Sequence, residues 1–369
     1  MPSAQSRLLA CLLLAAGAAR ATVKIPVNDE TYFTLGLLAQ MQAVGTRDGA
    51  PDGTDPSTDI FVRRLRLLLG GYINKSISFT VETDQANFGK KGNFDVQFAL
   101  INAFVSFALA KEAIIDVGFM PIPASRGAMN GALKLHTIDF HNPLLIYPGT
   151  RSNREVGIEL RGAAFADRVQ YRFGVFDGVQ GASAAGVGNG LNPPDIPRLA
   201  GMVRYNLFGS EPAYFIPNIY FSATPVVSIG AGWSYQYKGT LGPGGTGTAD
   251  LLAWSADAFA EWPTGDDQGI IGNVAYHGYR AGDGSKNTGD GGYLEVGYRV
   301  GRIEPTLAVD IFKADDPSGA GDYLAFRGGL NYWIEKHGAN LKAEFQNERR
   351  GPSTAKRGYS ITMQAQLLF

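Results

Sequence analysis

Four histidines, His136, His141, His277 and His337, are the side chains with the most obvious catalytic chemistry in this chain. A hydrolase sets a nucleophilic hydroxyl beside a histidine that an acid or amide orients. No Gly-x-Ser-x-Gly elbow occurs, which leaves His277 as a lone base candidate and no catalytic assignment. His136 and His141 flank Asp139, but a spacing of five on a proline-flanked stretch fixes no ligand geometry, and no second cluster completes a metal site. The glycine-rich residues 181–190 lack the Gly-Lys-Ser/Thr ending of a phosphate-cradling loop and read as an external loop.

The arginines follow a different pattern. Arg64 and Arg66 alternate with Leu65, Leu67 and Leu69, so an extended backbone puts the guanidiniums on one face and the leucines on the other. Ser78, Thr80, Glu82 and Asp84 oppose Ile77, Phe79 and Val81 in the same way. Residues 358–369 set Tyr359, Ile361, Met363, Ala365, Leu367 and Phe369 against Ser360, Thr362, Gln364 and Gln366. One such segment is equally an edge strand of a soluble sandwich, so the decision rests on repetition. Sixteen candidate strands follow one another, at 33–43, 60–70, 77–84, 95–109, 113–120, 154–161, 168–176, 198–205, 226–236, 250–262, 270–280, 292–300, 303–312, 322–333, 339–348 and 358–369.

Connections after odd-numbered strands are long and rich in Gly and Asp, while those after even-numbered strands are mostly short. Long and short ends in alternation describe an up-and-down barrel with external loops and periplasmic turns. The exception is 206–225, a long stretch where a short turn belongs, with room for a helical or irregular insert. About ten alternating residues cross a bilayer when tilted, with lipid outside and water inside. The expected fold class is therefore all-β, a transmembrane antiparallel barrel of about 16 strands that leaves an aqueous channel. Trp233, Trp254, Trp262 and Trp333 fall toward strand ends, as an interfacial girdle requires.

Arg7, the apolar run from Leu8 to Ala19 and the Ala19-Arg20-Ala21 site predict a signal peptide over 1–21, leaving 22–369 as a single barrel domain. Cys11, the only cysteine, leaves with it, so neither disulfides nor thiolate chemistry serve the mature chain. The net charge of −1 becomes −3 once Arg7 and Arg20 are removed, which excludes nucleic-acid binding by bulk charge. A mean hydropathy of −0.07 suits a barrel that hides its lipid face by alternation.

Phe61-Val62-Arg63-Arg64-Leu65-Arg66-Leu67, Asn102-Ala103-Phe104-Val105, Val117-Gly118-Phe119-Met120-Pro121-Ile122-Pro123 and the terminal strand ending in Phe369 resemble the phosphate-selective porin O/P family of the bacterial outer membrane. The resemblance implies a sixteen-stranded, trimeric channel whose third external loop, here 121–153, folds into the lumen and constricts it. It also implies arginines on the pore wall, matched here by Arg64 and Arg66. The fifth external loop carries only Lys238 where phosphate-selective members have a lysine cluster. Tyr359 and Phe369 stand where the terminal strand is read by the barrel assembly machinery.

A charge facing lipid is costly, so strand charges mark the lumen. That face gathers Arg64, Arg66, Arg161, Arg168, Arg172, Arg204, Arg327 and Lys342 with Glu82, Asp84, Asp116, Glu159, Asp257, Glu295, Glu304, Asp310 and Glu344. The signs nearly balance, so selectivity falls to the third loop, where Arg126, Lys134, Arg151 and Arg154 outnumber Asp139 and Glu155. Either these arginines set a weak anion preference or several of them brace the loop through wall carboxylates.

The expected function is passive diffusion of small hydrophilic solutes or ions through the outer membrane, without cofactor or energy source. The expected partners are outer-membrane lipid, lipopolysaccharide and two further copies of the chain. Two alternatives remain, a barrel hydrolase and a soluble periplasmic β-sandwich that binds a solute. The soluble reading predicts polar residues at outward positions, where Leu294, Val296, Tyr298 and Val300 show none.

Overall fold

The computed structural model describes residues 22–145, 150, 153–179, 191–211, 213–242, 246–282 and 287–369. The expected signal peptide, Arg151 and the whole glycine-rich stretch 181–190 lie outside the described residues. The strands are β1 (Val23–Pro26), β2 (Tyr32–Thr46), β3 (Ser57–Asn74), β4 (Ile77–Phe88), β5 (Ala99–Ala110), β6 (Ala113–Pro121), β7 (Arg154–Ala164), β8 (Val169–Phe176) and β9 (Arg198–Phe208). They continue as β10 (Val226–Leu241), β11 (Thr248–Gly265), β12 (Gln268–Ala281), β13 (Gly289–Val300), β14 (Ile303–Ala314), β15 (Tyr323–Glu335), β16 (Ala339–Arg350) and β17 (Gly358–Leu368). Each of β2 to β17 pairs antiparallel with its sequence neighbours, and β17 returns to β2 from Ser360↔Thr46 to Leu368↔Leu38. The sheet is a closed sixteen-stranded barrel with one extra strand.

Closure satisfies every sheet edge, the condition for a backbone in hydrocarbon. The seam is finished at the periplasmic end by two devices. Leu37 exchanges backbone hydrogen bonds with Phe369, at 2.6 and 3.1 Å. Just beyond, β1 takes over the edge of β2, running from Val23↔Leu35 to Pro26↔Tyr32. The sixteen expected strands correspond in order to β2–β17, whereas β1 was not foreseen. Residues 95–98, expected to start a strand, lie before β5 instead, with Phe98 half exposed.

The alternation holds around the ring. On β13, Leu294, Val296, Tyr298 and Val300 are exposed, while Tyr293, Glu295 and Arg299 between them are buried. Trp233 and Trp262 stay on the outer surface, but Trp333 faces inward and is 3% exposed, its indole N–H donating to Glu304 at 3.1 Å. A carboxylate inside the wall and the packing of Ile219 and Phe221 against its ring account for that departure from the girdle.

Two chain segments fill the lumen from opposite ends. The long external connection between β6 and β7 enters as a loop carrying a short 3-10 turn, Ala132–Lys134, and a four-residue helix, Asn142–Leu145. From the periplasmic side, the unexpected length between β9 and β10 forms an irregular insert, residues 209–225, that folds inward. Gly209 turns it at φ 63°, where a Cβ would stand 2.8 Å from the Pro225 carbonyl. The two segments meet. Ile216 N–H donates to Met129 O at 2.9 Å, Asn218 N–H to Lys134 O at 3.1 Å, and the Asn130 amide to the Asn218 side chain at 2.5 Å.

Arg126 locks the junction. Its Nη1 donates to both carboxylate oxygens of Glu211 at 3.0 and 2.7 Å, its Nη2 donates to Pro217 O at 2.7 Å, and its guanidinium lies 4.0 Å from the Phe259 ring centroid. Both members of the pair are fully buried. Burial would raise the Glu211 carboxyl, yet Arg126 and Arg204 hold it down at about 2. Breaking a buried pair leaves an uncompensated charge in a low dielectric. Arg126→Met should therefore destabilise the barrel by about 3–5 kcal/mol in urea titrations of vesicle-refolded protein. An unchanged midpoint would show that the junction does not rest on this pair.

Candidate functional site

The external loop leans on one side of the barrel, the wall made by β13–β16. His141 stacks on Tyr293 with centroids 3.8 Å apart and ring planes within 2°. Its Nδ1 lies 2.6 Å from Asp310 and its Nε2 3.1 Å from Glu295. His136 pairs through Nε2 with Glu304 and sits over Gly297, where an added Cβ would come within 2.5 Å of the ring. Lys342 donates to the carbonyls of Leu135, His136 and Thr137 at 2.7, 3.1 and 3.1 Å, and Asn331 donates to His136 O at 3.0 Å. The seam side contributes Gln40 to Ala132 O and Gln366 to Leu133 O, both at 3.1 Å.

These contacts explain what the histidines do. Burial alone would keep His136 neutral, but the Glu304 and Glu295 carboxylates outweigh it and push the imidazole up to about 10. His141 is raised against burial chiefly by Asp310. Both rings are committed to wall carboxylates as loop anchors. His277 faces Ser255 across the β11–β12 pair, but the Ser255 hydroxyl donates to Ala124 O at 2.9 Å and no carboxylate orients the ring. No serine–histidine–acid arrangement is assembled, and no metal-holding group of three His, Cys, Asp or Glu forms among the described residues.

The open side is the wall of β3–β7, and its chemistry turns on an irregularity in β3. Gln40 pairs with Arg64 and Met41 with Val62, so Arg63 has no counterpart on β2. This bulge flips the side-chain parity. Phe61 is buried before it and Arg64 and Arg66 are buried after it, while Ile60, Leu67 and Leu69 are exposed. Arg63 and Arg64, adjacent in sequence, both turn into the lumen and close on one carboxylate. Arg63 reaches Asp139 Oδ2 through Nε and Nη2 at 3.0 and 2.7 Å, and Arg64 Nη2 reaches Oδ1 at 2.7 Å. Burial would raise Asp139, but the two guanidiniums, Arg64 foremost, hold it well below the usual carboxylate range. Arg66 donates to Asp84 at 3.0 Å and Arg154 to Asn102 at 3.0 Å.

A cavity of about 370 Å³ opens between these arginines and the inner face of the loop, lined by Arg63, Arg64, Arg66, Asp84, Arg154 and Phe140 among others. Four guanidiniums border it, with Asp139, Asp84 and, through Asn102, Glu82 as neighbouring carboxylates. A second cavity of about 500 Å³ lies toward the periplasm, lined by Thr80, Phe104, Ser106, Arg161 and Tyr214.

Of the residues expected to line the pore, Arg64, Arg66 and Arg154 come together at the first cavity. Arg126 does not join them and is spent on Glu211 and Pro217 at the loop–insert junction. Lys134 is half-buried on the 3-10 turn. Tyr359 lies on β17 beneath Arg47, whose Cζ is 5.6 Å from its ring centroid, and Phe369 closes the seam with its ring half exposed. Arg63 was missed because strict alternation sends it to lipid. The signal was available, since two consecutive arginines cannot both belong to an unbroken strand with one face in hydrocarbon. The insert's Glu211 and Tyr214 were out of reach, because no periodicity marks that segment.

No protein-family model and no curated protein matches the chain. Among solved structures it is similar to an anion-selective porin from Comamonas acidovorans, with 12% identity over 92% of this chain and 100% of that one and a TM-score of 0.62. It is similar to the outer membrane channel DcaP of Acinetobacter baumannii at 14% identity, 94% and 100% coverage and a TM-score of 0.60. OmpF of Salmonella typhi gives 12%, 94%, 100% and 0.62. The chain has the porin fold. Within that fold the loop between β6 and β7 and the periplasmic insert are two inward segments, and the arginine wall faces the first of them.

The clamp and the anchors each predict an outcome. Asp139→Asn removes the carboxylate that neutralises Arg63 and Arg64, so the reversal potential in a KCl gradient should move toward the anion side, and Arg63→Gln with Arg64→Gln should move it the other way. His136 has a folded pKa above its unfolded value, so its stabilisation is complete below about 6.5 and is lost as pH rises through about 10. Unfolding midpoints of the parent minus those of His136→Gln should shrink across that window; a constant difference would rule out the charged anchor.

Proposed function

We propose that this protein is an outer-membrane porin through which small hydrophilic solutes diffuse down their gradients, with a weak preference for anions. The observation that carries the reading is the combination of a closed barrel, apolar outside on alternate residues, with arginine-lined cavities left open inside beside an inward loop. The exposed apolar side chains of β13 and its neighbours are at home in lipid and would be an aggregation liability on a soluble sandwich. The likeness to an anion-selective porin supports the channel reading at the level of architecture.

Anion preference follows from the first cavity. An anion entering it meets Arg63, Arg64, Arg66 and Arg154, whereas a cation must pass four guanidiniums to reach Asp84 or Asp139. The preference is weak because Asp139 and Asp84 already take part of that charge. A dedicated phosphate filter is not required by these residues. We further assign the outer membrane as location, lipopolysaccharide as outer-leaflet neighbour, the terminal strand with Tyr359 and Phe369 as the assembly signal, and a homotrimer as the working state, its contact face drawn from the apolar exterior. Neither a cofactor nor an energy source enters.

The test is the current of purified, folded protein in a planar bilayer under a KCl gradient. Stepwise conductance with a reversal potential of anion-selective sign is expected, and Arg64→Gln with Arg66→Gln should bring that potential toward zero. Stepwise conductance with cation selectivity would retire the anion preference, and folded protein without conductance would retire the channel.

A further inference from the structure

We propose that the periplasmic insert, residues 209–225, forms a second constriction in series with the external loop, and that the Tyr214 ring sets its width. This rests on the porin reading above and adds a gate to it. The two cavities follow one another down the same wall: on β4, Asp84 lines the first and Thr80 the second, about 13 Å apart along a strand. Between those levels Glu82 and Asn102 are buried on adjacent strands, the Asn102 amide donating to Glu82 at 2.6 Å. The insert brings Tyr214 onto Phe104, two residues further along β5, where both line the second cavity.

The ring is held on both faces. Phe104 stacks on it with centroids 4.7 Å apart and planes at 27°. The guanidiniums of Arg172 and Arg161 approach the ring with Cζ at 4.6 and 5.0 Å from its centroid, and Arg172 also donates to the Tyr214 carbonyl at 2.8 Å. A ring clamped this way cannot swing out of the passage without giving up stacking and cation–π contacts together. Its hydroxyl, by contrast, is buried with no hydrogen-bond partner among the described residues. Both arginines are already paired, Arg161 with Asp116 at 2.6 Å and Arg172 with Glu159 at 3.0 Å, so the ring narrows the passage without adding net charge to it.

Single-channel recording in symmetrical KCl tests the constriction. Tyr214→Ala should raise unit conductance roughly two-fold, and Tyr214→Trp should lower it, because the ring area in the passage changes in opposite directions. Tyr214→Phe, which keeps the ring, should keep the unit conductance. If the ring only packs, Ala and Trp will both reduce the yield of heat-modifiable folded barrel while surviving channels conduct like the parent, and the proposal falls. Should Tyr214→Ala not fold, an unchanged conductance in Tyr214→Trp overturns it equally. A parent protein that conducts alongside unresponsive Tyr214 variants defeats only this inference; a parent that never conducts defeats the porin reading.

Discussion

Hydrocarbon accepts neither a free backbone amide nor an unpaired charge, and nearly every feature of this molecule answers to that constraint. The backbone answer is closure, completed by the bonds between Leu37 and Phe369 and by the short β1 beside them. The side-chain answer is parity. Once Leu67 and Leu69 face lipid, Arg64 and Arg66 must face the lumen, and the second arginine of an adjacent pair is admitted only through a bulge.

Driving charge inward creates a second problem, because the lumen here is far from a plain water column. Its charges are largely buried under two segments that enter from opposite ends, and buried charges must find partners. One side resolves this with histidines on carboxylates, locking the external loop to β13–β16. The junction resolves it with Arg126 and Glu211. On the β3–β7 wall Arg63 and Arg64 share Asp139 and Arg66 takes Asp84, and open space remains beside them. The same ion-pair chemistry thus produces a rigid anchor on one side, where loop histidines meet wall carboxylates, and an arginine-lined cavity on the other, where a single loop aspartate meets wall arginines.

The porin fold was legible in the chain to the level of strand order, and the terms in which it was legible were physical. Alternation such as that of β13 has a period of two, and the burial pattern reproduces it from Tyr293 to Val300. Long and short connections separated the two ends of the barrel. The reading failed where backbone geometry departs from that period. The bulge at Arg63 breaks parity and Trp333 trades the interface for a carboxylate inside the wall, while the insert expected within 206–225 shows in the sequence only as excess length, because it is held by partners distant in sequence.

By itself, then, the sequence determined the order of the sixteen barrel strands and, away from the bulge at Arg63 and from Trp333, which face of each strand is apolar and which carries the inward charges, since these follow from local alternation and the cost of charge in hydrocarbon. Which of those inward charges line open space and which are consumed as braces was decided only by tertiary structure. Arg64 and Arg126 look alike in the chain, yet one borders a cavity and the other is sealed against Glu211. The physical reason is that pairing between charges depends on distance across the barrel, set by how two irregular segments fold into it, and nothing in the order of residues along either segment encodes that distance.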